Sequence, residues 1–171
     1  PDLLMRGDSN LGVPSFMMNG SGFLTEPSSD APQLIAQGYF NANRALFGLT
    51  PLDAKGMVSS SQHTSSASGL SHMYLQQQHN GILVLDGVAN VSVDLLGRVL
   101  VVGNSLVPDV AGSLNTLQPS LTPAQAAQRA AISRGLASNG DFTTQSQQGT
   151  PDLAQVLADG GISRDPIPAK L

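Results

Sequence analysis

The most regular pattern of apolar and polar residues lies in mid-chain, in the stretch SHMYLQQQHNGILVLDGVANVSVDLLGRVLVVGNSL, residues 71–106. Residues 70–78 have the composition of a strand, and Asn80-Gly81 separates them from a second short run over residues 82–85. An Asn-Gly pair between two such runs favours a two-residue hairpin because both residues tolerate positive φ. The pattern therefore predicts an antiparallel hairpin.

The alternation continues beyond this hairpin. Ala89, Val91 and Val93 alternate with polar residues, so one face of the strand is apolar and the other is polar. This arrangement is typical of an antiparallel sheet that is covered on one side. Gly97 then predicts a turn into a further strand over residues 98–102.

A helical period precedes the sheet. The apolar residues that recur every three or four positions are Ile35, Tyr39, Ala42, Leu46 and Leu49. This spacing places them on one helix face and predicts a helix from Asp30 to Leu49. Asp30 is the expected cap, Pro32 fits the first turn, and Gly48 followed by Pro51 predicts the end.

The remaining segments are less regular. Residues 1–29 show no sustained period and predict an extended, loosely folded arm, while the serine-rich residues 53–69 predict a connector. LTPAQ, residues 121–125, has a capping threonine, a proline and a capping-box glutamine, which together predict the start of an alanine-rich helix. We predict a short helix over residues 150–157, followed by a proline-punctuated tail.

Composition narrows the classes of function. Charged residues make up 12% of the 171 residues and the formal net charge is −4, so nucleic acid is not an expected partner. The absence of cysteine excludes disulfides, thiol catalysis and thiolate metal sites. No apolar run approaches the roughly 20 residues that span a bilayer, so no membrane partner is expected. The sequence begins at Pro1 without a methionine, and we expect an upstream segment that has been removed or that lies outside this sequence.

The sequence contains none of the motifs that mark a nucleophile elbow, a phosphate loop, a dinucleotide site or a zinc-protease helix. Its histidines are His63, His72 and His79. The odd spacing of His72 and His79 places them on opposite faces of a strand or on different segments, so a shared metal ion is not expected. We therefore predict no catalytic residue and no metal ligand, and we predict that this chain is not an enzyme.

The other polar residues of the stretch have structural interpretations. We expect His72 to be a partly buried ring hydrogen-bonded to backbone or to a neighbouring side chain, and His79 to be a solvated turn residue. The run Gln76-Gln77-Gln78 is interpreted as a strand with polar outer positions. The aspartates expected to act as solvated loop caps are Asp86, Asp94 and Asp109.

A longer arrangement runs through the same stretch: a histidine, an aromatic residue, a glutamine, an Asn-Gly hairpin, an apolar strand, a Gly-Arg-Val turn and a closing Gly-Asn-Ser. The residues are His72, Tyr74, Gln77, Asn80, Gly81, Ile82, Val84, Asn90, Val91, Val93, Asp94, Gly97, Arg98, Val99, Gly103, Asn104 and Ser105. This arrangement resembles the N-terminal propeptide of the fungalysin family of secreted zinc metalloproteases, in particular its fungalysin/thermolysin propeptide motif. The preceding helix and Gln62-His63-Thr64 resemble the same family, and LTPAQAAQRAA resembles the start of a PepSY-like half.

The resemblance implies an α+β fold of two cystatin-like halves in tandem, each an antiparallel sheet packed on a helix. We expect an extended arm over residues 1–29, a propeptide-type domain over residues 30–108 and a PepSY-like half over residues 109–171. The second half is expected to be incomplete, because the sequence stops before the strands that would finish it.

The resemblance also implies a function. The chain would be an inhibitory prodomain and intramolecular chaperone that binds the catalytic domain of a secreted, extracellular metalloendopeptidase until proteolysis removes it. No cofactor is expected in this chain, and zinc would belong to the cognate catalytic domain. The candidate contact or motif residues are His72, Tyr74, Gln77, Asn80, Gly81, Val84, Leu95 and Leu96.

One pair departs from the family pattern. Leu95-Leu96 stand where the family usually has polar turn residues, which predicts apolar surface that only a partner would cover. The same is expected of Phe16, Met17 and Met18. Two alternatives stay open at this stage: the leading fragment of an unprocessed zymogen, or a free-standing cystatin-like binding module.

Overall fold

The computed structural model of the protein describes residues 2–114 and 118–171. The strands are β1 (Leu3–Gly7), β2 (Pro14–Asn19), β3 (Val58–Thr64), β4 (Ser71–His79), β5 (Ile82–Val93), β6 (Val99–Asn104), β7 (Thr144–Gln147), β8 (Gln155–Leu157) and β9 (Ile167–Ala169). The helices are α1 (Pro32–Ala42), α2 (Pro51–Gly56), α3 (Val110–Ser113) and α4 (Pro123–Ser133). One sheet has six strands in the order β1-β2-β6-β5-β4-β3, and the other has the order β7-β8-β9. The predicted α+β class is confirmed.

The described residues form two compact units. The first unit contains the described residues of Pro1–His79 and Leu83–Ser113. The second unit contains the described residues of Asn80–Ile82 and Leu114–Leu171. The boundaries predicted for the two halves, and their cystatin-like character, stay predictions. The helices that the structure describes have at most 11 residues, too few to span a bilayer.

The core of the first unit lies between the six-stranded sheet and helices α1 and α2, which both pack against β4. Its buried residues are Met17, Ile35, Ala36, Tyr39, Phe40, Phe47, Leu49, Ala54, Met57, Met73, Leu75, Ala89, Val91, Val93, Val99, Val102 and Leu106. The side chains of Ala89, Val91 and Val93 thus point into the core, as their alternation with polar residues predicts. Each such side chain contributes roughly 1.5–3 kcal/mol when fully removed from water, with alanine contributing less.

The helical segment is shorter than its apolar period predicts. Helix α1 ends at Ala42, and a separate helix α2 begins at Pro51 after a turn in which Gly48 has φ +63°. Ala42 and Leu46 are therefore exposed, although both lie on the predicted apolar face. The cap position of α1 is Ala31, which makes no side-chain cap bond, so the prediction that Asp30 caps it is wrong.

The N-terminal segment corrects the prediction of a loosely folded arm. Strands β1 and β2 pair with each other, and β2 pairs with β6, so both belong to the main sheet. Met17 lies opposite Val102 and is buried in the unit's own core, so it is not surface that awaits a partner. Phe16 and Met18 are only half-buried, and the Arg6 guanidinium lies over the Phe16 ring.

The serine-rich connector is also corrected. Its middle forms β3, an edge strand that pairs antiparallel with β4 and has an exposed or half-buried side chain at every position. Serine and threonine supply little burial, so the strand is held mainly by its backbone hydrogen bonds to β4. Composition favoured a connector because the segment has almost no apolar residues, although it pairs with the next strand along the chain.

The central hairpin follows the prediction closely. Asn80 and Gly81 have φ values of 51° and 83°, which is the left-handed geometry that an Asn-Gly hairpin turn requires. Strand β5 continues without a break over Ile82–Val93, so the two apolar runs predicted there form one long strand. Gly97, at φ +71°, turns the chain into β6 as predicted.

In the second unit, α4 begins as predicted. Thr122 and Gln125 form a reciprocal capping box, with Pro123 in the first turn. The prediction of a helix over residues 150–157 is wrong: Leu153 has φ +51°, which a helix cannot contain, and β8 follows. The core of this unit consists of Ala131, Phe142 and Leu157, with smaller apolar residues packed around them.

Candidate interaction surface

The turn between β5 and β6, residues 94–97, is held by one carboxylate. Asp94 Oδ1 accepts hydrogen bonds from the backbone N–H groups of Leu96 (3.0 Å) and Arg98 (2.8 Å). Asp94 Oδ2 accepts two from the Arg98 guanidinium, at 3.0 Å from Nε and 2.6 Å from Nη2. Asp94 is therefore a loop cap, as predicted, with an added ion pair. We call residues 94–97 the leucine turn.

Electrostatics favour the ionised form of this carboxylate. The Arg98 side-chain hydrogen bond is the largest influence and lowers the pKa of Asp94 below its ordinary value of 3.8. Desolvation is the second influence and opposes it, while the backbone N–H groups of Arg98 and Leu96 lower the pKa by smaller amounts. Arg98 is fixed in turn by Phe23, because its Cζ lies 3.6 Å from the ring centroid. The turn is thus braced on two sides.

The segment that leads into α1 closes over the leucine turn. The Leu24 N–H donates to the Val99 carbonyl at 2.7 Å, and the Val99 N–H donates to Thr25 Oγ1 at 2.9 Å. The Ser28 N–H donates to the Leu96 carbonyl at 3.1 Å. At Gly97 the approach is so close that a Cβ would lie 2.0 Å from the Ser28 carbonyl oxygen.

Leu95 and Leu96 project from this braced turn. Leu95 is 79% exposed and Leu96 is 57% exposed, so both side chains offer apolar surface as predicted. Leu95 lies against Gly69, where a Cβ would come within 2.7 Å of its side chain, so the β3–β4 and β5–β6 turns are neighbours. A fixed backbone that presents two leucines loses little conformational freedom when a partner covers them.

His72 and Tyr74 lie on the sheet face opposite the helices. They alternate along β4 with the buried Met73 and Leu75, which face α1 and α2. Tyr74 is 41% exposed, while His72 is half-buried and its Nδ1 lies 2.9 Å from Ser92 Oγ. The prediction of a partly buried ring bonded to a neighbouring side chain is confirmed.

Gln77 points the other way. It is fully buried, its Nε2 donates to the Val107 carbonyl at 2.9 Å, and its Oε1 accepts from the Val107 N–H at 2.9 Å. The interpretation of the glutamine run as outer positions is therefore wrong for Gln77, which serves as an internal bridge. Gln76, by contrast, faces outward and donates to the carbonyls of Val84 and Gly87.

The sequence-predicted contact residues do not form one site. His72 lies in the half of β4 nearest the leucine turn, whereas Asn80, Gly81 and Val84 lie around the hairpin at the opposite end. Strand β4 has nine residues and spans about 30 Å at the usual rise per residue. Leu85, which is even more exposed than Leu95, belongs to the hairpin end.

Outside this region, the polar residues that the structure describes show no reactive arrangement. Asp109 accepts the Gly112 N–H at 3.1 Å, as expected of a loop cap, and Asp86 is an exposed residue with φ +58°. His79 ends β4 and is half-buried. Within residues 2–114 and 118–171, no group of three or more histidines, aspartates or glutamates is placed to hold a metal ion.

The second unit contains an open apolar groove of about 710 Å³. One wall is α4, through Ala126, Ala127 and Ala130, and the other includes Ile167 and Ala169 of β9. Lys170 is the sole ionisable side chain among the described residues that line it. The groove can hold apolar material but offers no set of groups for acid–base chemistry.

Comparison with known proteins gives one assignment. Residues 55–106 match the family model described as the Fungalysin/Thermolysin Propeptide Motif. No curated protein matches the chain. The matched range runs from the end of α2 through β3, β4, β5 and β6, so it contains the central hairpin and the leucine turn. The chain carries a protease propeptide motif, as the resemblance predicted.

Proposed function

We propose that the chain is an inhibitory prodomain and folding assistant of a secreted fungalysin-type zinc metalloendopeptidase. It binds the catalytic domain and is removed by proteolysis. The propeptide motif over residues 55–106 is the observation that carries this proposal, because motifs of this class accompany a protease catalytic domain. The zinc ion and the catalytic residues belong to that domain.

The surface that we assign to the partner is the leucine turn. Turns, hydrogen bonds and an ion pair fix its backbone, while its two leucines stay in water. Contiguous apolar surface of this kind marks interaction sites in soluble proteins. Since only 12% of the chain is charged, few ions must be desolvated when a partner approaches.

Inhibition and folding assistance follow from one binding equilibrium. A prodomain that binds the native catalytic domain more tightly than the unfolded one shifts folding towards the native state by mass action. A standard-sized interface of roughly 1,200–2,000 Å² is sufficient for tight binding. Cleavage between segments that bind together then lowers their effective concentration and releases the enzyme.

The direct test mixes the purified chain with a mature fungalysin-type protease and follows hydrolysis of a fluorogenic peptide. We expect the rate to fall as the chain is added, with saturation at a micromolar excess. The same chain should raise the yield of active enzyme when the denatured catalytic domain is refolded in its presence. Full turnover at a micromolar excess would remove the inhibitor proposal, and would favour a free-standing binding module.

The leucine turn can be tested separately by charge. In the double variant Leu95→Asp/Leu96→Asp we expect inhibition to weaken at least tenfold, because each aspartate loses apolar contact and must be desolvated against the partner. Tenfold corresponds to about 1.4 kcal/mol of binding free energy. The measurement is the inhibition constant, with the melting temperature of each variant as a check on folding.

A matched control is available in α2. Leu52 is 71% exposed but belongs to helix α2 and not to the leucine turn, so Leu52→Asp should leave the inhibition constant unchanged. Leu85→Asp probes the hairpin end in the same way. If Leu85→Asp weakened inhibition and the double variant did not, the assignment of the partner to the leucine turn would be wrong while inhibition itself stood.

A further inference from the structure

Two histidines on consecutive strands lie side by side in the main sheet. The antiparallel register of β3 and β4 places His63 directly opposite His72. Directly opposite residues project from the same face with Cβ atoms about 4.5–5.5 Å apart. The next pair shows that side chains meet across these strands, because Thr64 Oγ1 lies 3.0 Å from Ser71 Oγ.

The two imidazoles occupy the face that α1 and α2 leave open. His72 lies between the buried Ser71 and Met73, so its side chain, and that of His63 with it, points away from the core. His63 is exposed and His72 is half-buried. An ion could therefore reach the ring nitrogens directly from solvent.

Ser92 fixes the ring of His72 from behind. Its Oγ lies 2.9 Å from His72 Nδ1, and the serine itself is buried in β5. In the tautomer whose Nδ1–H donates to Ser92, Nε2 carries the free lone pair. Metal-ligating histidines almost always hold their second ring nitrogen in such a hydrogen bond, which orients the ring and sets the tautomer.

We propose that His63 and His72 form a two-histidine site for a divalent cation that prefers imidazole ligands, such as Zn²⁺, with Ser92 as the positioning residue of His72. Imidazole suits Zn²⁺, Cu²⁺ and Ni²⁺, whereas Mg²⁺ requires oxygen ligands. Two protein ligands leave coordination positions for water or for a donor from another molecule. The prediction of no metal ligand considered only the pair His72 and His79, whose side chains lie on opposite faces of β4. It did not consider His63 on the neighbouring strand.

A cation bound at this site would also stabilise the pairing of the edge strand β3 with the sheet. Strand β3 has no buried side chain, so apolar packing contributes little to its position in the sheet. A cation bound to both histidines would join it to β4. A ligand that binds the folded state better than the unfolded state raises the melting temperature. This proposal is independent of whether the chain inhibits a protease.

The test is calorimetric titration of the chain with zinc chloride at neutral pH, alongside His63→Ala, His72→Ala and His79→Ala. We expect His63→Ala and His72→Ala each to weaken Zn²⁺ binding at least tenfold, and His79→Ala to leave it within about twofold. Zn²⁺ should shift the ring nitrogen resonances of His63 and His72 and spare those of His79. Magnesium chloride should produce neither effect.

Several results would overturn the site. One is the absence of binding at about 1 mM zinc, where a dissociation constant of that size already gives half-saturation. Another is an equal loss in His79→Ala, or full affinity in His63→Ala. Because His63 is exposed on an edge strand, His63→Ala should fold even if His72→Ala does not, and it decides the question alone.

Discussion

Replacing Gly97 with alanine should lower the free energy of unfolding of the first unit by about 3 kcal/mol, the combined cost of a left-handed non-glycine residue and an overpacked contact. Gly97 has φ +71°, and an added Cβ would lie 2.0 Å from the Ser28 carbonyl oxygen. That oxygen belongs to the backbone, so the clash can be relieved only by moving the segment that closes over the leucine turn. Urea unfolding measures the effect.

The readout can be confined to the relevant unit. The protein has two tyrosines and no tryptophan, and Tyr39 and Tyr74 both belong to the first unit. Tyrosine fluorescence therefore reports unfolding of the main sheet without interference from the second unit. This separation matters because a chain of two units need not unfold in a single step.

Gly12 provides the matched control for Gly97. Its φ is +69°, nearly the same, but a Cβ there would meet nothing within 4 Å. Gly12→Ala should therefore cost only the backbone term, about 1 kcal/mol. If both variants lost the same stability, the contact between Gly97 and Ser28 would be looser than the structure has it, and the leucine turn would be less rigid than we propose.

The features that the sequence predicted well depend on neighbouring residues. The Asn80-Gly81 hairpin needs only two residues with positive φ, and the Thr122 capping box needs only the partner three positions on. Both signals depend on residues that are close in sequence, so they do not depend on tertiary packing. The α+β class followed from the same local periods.

The strands that the sequence missed depend on their partners in a sheet. Strands β1, β2 and β3 have weak patterns of their own and are stabilised by pairing within the main sheet. The sequence predicts a helix at β8 because Thr150, Pro151 and the residues after them have the composition of a helix N-terminus. Its pairing with β7 and β9, together with the left-handed Leu153, produced a strand instead.

The candidate site also combines features that the sequence predicts with features that it does not. Exposure of Leu95 and Leu96 could be predicted, since two leucines beside a turn glycine have no core position to fill. The juxtaposition of His63 and His72 could not, because it follows from the register of a strand that composition alone does not reveal. The contacts of Thr25 and Ser28 with the leucine turn could not be predicted either, because they join segments that are far apart in the sequence.

Gln77→Met should destabilise the first unit by about 2 kcal/mol, because it leaves two backbone groups of Val107 without their partners. Methionine has a similar length and flexibility, so packing around the side chain is largely kept and the lost hydrogen bonds dominate. Val107 is half-buried, so water can restore only part of the loss. Urea unfolding followed by tyrosine fluorescence gives the measurement.

Gln78→Met is the control for this substitution. Gln78 is the adjacent glutamine on the opposite, half-exposed face of β4, and the same change there should shift stability by no more than about 0.5 kcal/mol. Equal losses in the two variants would mean that methionine itself, and not the bridge to Val107, causes the effect. A selective loss in Gln77→Met would show that the glutamine of the propeptide motif holds the sheet to the segment after β6, a structural role that leaves partner contact to the exposed residues.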